Sequence, residues 1–123
     1  LRRQRQMCIR DSSPAGSGVQ PLGILRMIAM LSSLGDIPPE IAFCFATGNT
    51  ARMRDLDCGI IEIGRSADFV LMDTAQHAPG RNMLESIHQG NLPGVGMTII
   101  DGIVRTNRSR NTPPAAHLPE IVE

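Results

Sequence analysis

The chain has 123 residues, enough for one modest domain, with twelve Arg, no Lys and a formal net charge of zero. The balanced charge and the absence of Tyr and Trp exclude a typical nucleic-acid-binding module, and no apolar run approaches the length of a membrane span. Three cysteines without close pairing and no visible signal peptide predict a cytoplasmic protein.

Residues 1–12 differ in composition from the rest of the chain. They read L-R-R-Q-R-Q-M-C-I-R-D-S, a basic stretch without hydrophobic periodicity that gives way to S-P-A-G-S-G. We interpret this stretch as a non-native scar similar to translated adapter sequence, which has no part in the fold. A natural, disordered basic arm is the alternative.

Two helices are predicted after the Gly- and Pro-rich loop. The first begins at Pro21 and stops at Gly35, and its apolar residues recur at helical spacing: Leu22, Leu25, Ile28 and Leu31. The second follows D-I-P-P-E, with Cys44 on its buried apolar face. Asn49 is then predicted to cap a short helical turn.

The stretch from Cys58 to Asp73 predicts two strands joined by a turn. Isoleucines at 60, 61 and 63 form the first strand, and the unbroken apolar run of residues 69–72 predicts a second strand buried on both faces. Gly64 can take a positive φ in the turn. Asp68 is placed to accept hydrogen bonds from backbone N–H groups of the turn.

Downstream, a short helix is predicted over residues 82–89, ending at Gly90. Asp101-Gly102 is a strong signal for a two-residue hairpin between strands. Residues 107–123 are expected to be an extended, mobile tail. The strands are expected to share one apolar cluster: Ile60, Ile61, Ile63, Phe69, Leu71, Ile99, Ile100 and Val104.

Four motifs together resemble a known family. D-S-S-P-A-G-S-G, A-T-G-N-T-A-R, G-I-I-E-I-G-R-S-A-D-F-V-L-M-D and I-I-D-G-I-V have the order and spacing of the C-terminal third of metal-dependent amidohydrolases, most like the enamidase type. The resemblance implies an α+β fragment. Residues 13–56 would hold the last loop and helices of a (β/α)8 barrel, and residues 57–106 the C-terminal part of a composite β-sandwich.

The resemblance also implies a chemistry. Such a parent enzyme would be a hydrolase of a non-peptide C–N bond in a small cyclic amide or enamide, using water activated by zinc or iron, and would be a homo-oligomer. The family's H-x-H metal ligands do not occur in this sequence, so the fragment is expected to bind no metal and to be inactive. A deaminase of the same superfamily and a non-catalytic β-rich scaffolding or binding domain are the alternatives.

Asp11 is the one candidate catalytic and metal-ligating residue. In the enamidase-like pattern the aspartate lies two residues before the proline, whereas here Ser12 holds that place and Asp11 is one residue early. A surface loop carboxylate is the alternative interpretation of Asp11.

The remaining polar candidates are the histidines and two arginines of the tail. His77 is expected in a solvated loop, His88 at the C-terminal dipole of a short helix and His117 in the tail, rather than on a metal. Arg108 and Arg110 either bind an anion or are solvated, with solvation favoured.

Overall fold

A computed structural model describes residues 22–122 as a small α+β unit, the class expected from the sequence. Its elements in chain order are α1 (Gly23–Ser33), α2 (Pro39–Ala46), α3 (Gly48–Arg54), β1 (Phe69–Asp73), α4 (Met83–His88), β2 (Gly94–Ile100) and β3 (Ile103–Thr106). The predicted helix start at Pro21 lies outside the described residues. None of the helices within 22–122 has the length and apolar character needed to cross a membrane.

The best-buried apolar cluster lies among the helices. Ile28 and Ala29 of α1 pack with Ala42 of α2 and Ile87 of α4, and all four are nearly inaccessible to solvent. The helical spacing predicted for α1 is therefore confirmed where Ile28 faces inward. A Cβ at Gly35 would lie 2.6 Å from the carbonyl oxygen of Leu31, which explains why glycine follows this helix.

Two local predictions for α2 and α3 are wrong. Cys44 is exposed, because α2 turns Ala42 rather than Cys44 toward the neighbouring helices. Asn49 lies inside α3 instead of capping it, and Thr47 occupies the position before the helix. Thr47 is the single residue between α2 and α3, and its hydroxyl donates to the carbonyl oxygen of Phe43.

The three strands form one antiparallel sheet in the order β1-β2-β3. Phe69 pairs with Ile99, and Ile99 pairs with Val104, so these three apolar side chains lie side by side on one face. Asp101 and Gly102 connect β2 to β3, and both have positive φ, as a type I′ turn requires. The hairpin prediction is confirmed.

The strand predicted at Ile60–Ile63 is absent from the described structure. Ile61 is 86% exposed and Ile63 103% exposed, because residues 22–122 supply no strand that pairs with this segment. Gly64 does take the predicted positive φ, at 90°.

The predicted apolar cluster is correspondingly smaller than expected. Val70 and Leu71 are also exposed, at 49% and 41%, so the predicted burial of β1 on both faces is wrong. Ile100 is exposed and lies on the opposite face from Ile99. Phe69, Ile99 and Val104 remain as half-buried neighbours.

The tail packs against the start of β2 instead of lying free. Ala115 forms an isolated antiparallel bridge with Ala75 and is buried. A Cβ at Gly94 would lie 2.5 Å from the Cα of Ala115, and one at Gly96 would lie 2.8 Å from the Cδ of Pro119. Because alternate strand residues share a face, the two glycines together make room for the tail.

Replacing Ile87 by Ala should lower the free energy of unfolding of the full chain by about 2–5 kcal/mol, because this side chain fills the helical core. Ile63→Ala is the matched control and should change it by less than about 0.5 kcal/mol, since Ile63 is solvated. Urea denaturation of both variants provides the measurement. Equal destabilisation by the two variants would show that Ile63 is buried and would support the predicted strand at that residue.

Replacing Gly94 by Ala should displace the tail, because the added methyl group would occupy the space of the Ala115 backbone. Amide hydrogen exchange at Gln76 and Ala116, which donate the two bonds of the bridge to the tail, should become faster, whereas exchange within α1 should not change. Gly48→Ala is the control for glycine loss without crowding, because the nearest atom to its Cβ position, Cγ1 of Ile60, lies at an ordinary contact distance of 3.6 Å. Unchanged exchange at Gln76 and Ala116 in Gly94→Ala would contradict the packing.

Candidate functional site

The predicted catalytic position is not among the residues that the structure describes. Asp11 and Ser12 both precede residue 22. Between residues 22 and 122, no group of three or more His, Cys, Asp or Glu side chains converges in a way that could hold a metal ion. His77, His88 and His117 lie in a loop, at the end of α4 and in the tail, which are the three settings predicted for them.

His88 joins α4 to α1 in a line of polar groups that resembles a Ser–His–Asp arrangement. Its Nδ1 lies 3.0 Å from the Ser32 hydroxyl, and its Nε2 lies 3.8 Å from a carboxylate oxygen of Asp36. Ser32 is completely buried, so no substrate carbonyl can reach its oxygen. The arrangement therefore connects two helices and does not form a nucleophilic site.

Asp73 joins the end of β1 to the tail. One of its carboxylate oxygens accepts from the backbone N–H of His117 at 2.9 Å and lies 2.7 Å from the Nδ1 of the same residue. Its other oxygen accepts from the backbone N–H of Thr74 at 2.7 Å. The His117 imidazole, followed by the Thr74 N–H, holds the pKa of the Asp73 carboxyl below its ordinary value.

Asp68 has an equivalent role at the other end of β1. Its carboxylate accepts from the backbone N–H of Asp101, 33 residues further along the chain, at 2.9 Å. The neighbouring carbonyl oxygen of Ala67 accepts from the N–H of Gly102 at 3.0 Å. The sequence predicted that Asp68 accepts backbone N–H bonds from the turn that contains Gly64. The donor is instead the β2–β3 hairpin turn, which only the sheet pairing brings beside Asp68.

An open cleft of about 770 Å³ lies between the end of β3 and the start of the tail. Three arginine side chains line it, those of Arg105, Arg108 and Arg110, and no acidic residue does so. Sequence reasoning considered Arg108 and Arg110 as an anion site but favoured solvation. Arg105 was missed because it belongs to a strand, and only the fold places it beside the tail arginines.

Comparison with known proteins identifies relatives of this chain. No family model matches it. Enamidase from Eubacterium barkeri is 39% identical over 112 residues, which cover 91% of this chain. The chain is a homologue of enamidase. A crystal structure of enamidase, described as a new member of the amidohydrolase superfamily, superimposes with a TM-score of 0.85 and 40% identity over 89% of this chain.

The chain spans only 29% of the length of enamidase in both comparisons. Two aspartates of the family motif lie within the described residues, and both bind the protein backbone. Asp68 and Asp73 of that pattern bind backbone N–H groups of the hairpin turn and the tail. The enamidase-like segment described here therefore supplies framework residues, and no described residue of the pattern joins a metal-binding group.

The Asp73 contacts predict a specific acid sensitivity. Because the pKa of Asp73 is lowered on folding, its contribution to stability is present above the pKa of the unfolded carboxyl and is lost as the pH falls through the lower folded value. His117→Ala should move the pKa of Asp73, measured by NMR, upward toward its ordinary value. The pKa of Glu85, lowered by its bonds to Arg81, should not change. An unchanged Asp73 pKa in His117→Ala would contradict the His117 contact.

Proposed function

We propose that this chain is the C-terminal portion of a metal-dependent hydrolase that cleaves a non-peptide C–N bond in a small cyclic amide or enamide. The observation that supports the proposal is the similarity to enamidase, 39% identity over 112 residues together with a shared fold at a TM-score of 0.85. The similarity extends over nearly all of this chain, so it does not depend on one short motif.

The proposed architecture follows the boundaries predicted from the sequence. Residues 13–56 would contribute the last loop and helices of a barrel, residues 57–106 part of a composite β-sandwich, and residues 107–123 the tail, with 1–12 as a scar. Exposed apolar side chains support this arrangement, because such surface is typical of faces covered by further protein. They lie on helices, loop and sheet: Ile24, Met30, Leu34, Ile41, Ile61, Ile63, Val70, Ile100 and Ile103.

The proposal assigns the metal, zinc or iron, to residues outside 22–122. The described histidines and carboxylates do not fit a metal centre, since no three of them converge. Asp11, or an aspartate in the place of Ser12, would be one ligand by resemblance. The parent protein would be a cytoplasmic homo-oligomer acting on a small molecule.

The isolated chain should therefore retain no zinc after dialysis and should not hydrolyse a cyclic enamide above the buffer rate. About one equivalent of bound metal with turnover would contradict the fragment interpretation. Elemental analysis and a hydrolysis assay on the same sample provide both measurements.

The positive experiment replaces residues 1–11 with the barrel sequence that precedes this segment in the parent gene, and introduces Ser12→Asp. We expect metal binding and cyclic-enamide hydrolysis in the extended protein. His77→Ala in the same background is the control and should leave activity unchanged, because this imidazole is exposed in a loop. If the parent sequence upstream of residue 13 has no H-x-H pair after its first strand, the hydrolase proposal is wrong. Release of ammonia from an aminopurine would favour a deaminase.

A further inference from the structure

The arginine cleft, defined by Arg105, Arg108 and Arg110, concentrates positive charge at one place on a chain of zero net charge. Within residues 22–122 none of the three guanidinium groups forms an ion pair, whereas those of Arg65 and Arg81 do. No acidic residue lines the cleft either, so an anionic ligand there would meet three arginines without a competing carboxylate.

The hydroxyl groups of the cleft are arranged as further donors. The Thr112 hydroxyl oxygen accepts from the backbone N–H of Val95 at 3.1 Å, and the Ser109 hydroxyl oxygen accepts from the N–H of Asn111 at 3.2 Å. Because each oxygen already accepts a bond, its own hydrogen remains available to donate. The cleft therefore offers guanidinium and hydroxyl donors and lacks a carboxylate acceptor.

The tail part of the cleft wall is hydrogen-bonded to β2 at Val95. Val95 donates its N–H to Thr112 and accepts at its carbonyl oxygen from the N–H of Ser109 at 3.1 Å. These two bonds hold the segment that contains Arg110 against the strand. A wall fixed before binding lowers the entropy that a ligand must lose by ordering it.

We propose that the arginine cleft binds a small polyanion bearing two or more carboxylate or phosphate groups. The planar guanidinium group presents a fork of N–H donors that matches both kinds of anion in bidentate fashion. A volume of about 770 Å³ lies within the usual range for small-molecule sites and exceeds what a single phosphate would fill. The proposal is independent of the proposed hydrolase activity.

The test uses the full 123-residue chain and chemical modification of arginine by phenylglyoxal, followed residue by residue by mass spectrometry. Saturating tripolyphosphate or citrate in low salt should slow modification of Arg105, Arg108 and Arg110 by about tenfold. Arg54, an exposed arginine at the end of α3, is the internal control and should change by less than about twofold. Protection by tripolyphosphate alone would identify phosphate as the ligand group, and protection by citrate alone would identify carboxylate.

Calorimetric titration with the same two probes supplies an independent measurement. Affinity should fall about tenfold or more in Arg108→Gln, less in Arg108→Lys, and not at all in Arg54→Gln. Added sodium chloride should weaken binding to the wild-type chain. Equal protection of Arg54 and the cleft arginines, or no protection and no binding with either probe, would overturn the proposal.

Discussion

Two carboxylates, one at each end of β1, hold the β-region together. Asp68 precedes the strand and binds the hairpin turn, and Asp73 ends the strand and binds the tail. Both use carboxylate oxygens to satisfy backbone N–H groups that belong to distant parts of the chain. Charge-assisted bonds of this kind are stronger than neutral ones. A strand of five residues is thereby connected to segments 33 and 44 residues further along the chain.

The sheet needs such connections because its own apolar core is thin. Phe69, Ile99 and Val104 are only half-buried, and Met97 is the one buried large apolar side chain of the three strands. The best-buried cluster belongs to α1, α2 and α4. One bond between the two regions joins the Thr74 hydroxyl, just after β1, to the buried Ser86 hydroxyl of α4 at 3.0 Å. The end of β1 is thus where the sheet, the tail and the helical core meet.

The residues that identify the similarity to enamidase include the two aspartates that hold the sheet. The motif G-I-I-E-I-G-R-S-A-D-F-V-L-M-D includes both Asp68 and Asp73, and these two carboxylates accept hydrogen bonds from backbone N–H groups. A long motif can thus identify a family through residues that hold a framework. The arginine cleft lies beyond that motif and was assembled from a strand and a tail that the sequence treats separately.

The sequence by itself determined the features that depend on local chemistry. Helical spacing at Ile28, the short helix that stops before Gly90, and the Asp101-Gly102 turn are properties of neighbouring residues, and each was predicted. The family resemblance was also readable, because several spaced residues had to match in order. Only the tertiary structure decided the pairings between distant segments. Ile61 and Ile63 are β-branched residues typical of strands, but no strand of the described residues pairs with them. His117 lies in a tail without a recognisable motif, and only the fold brings it to Asp73. The physical reason is that burial and strand pairing depend on which segments, distant in the sequence, pack against a residue, and the local sequence does not specify those segments.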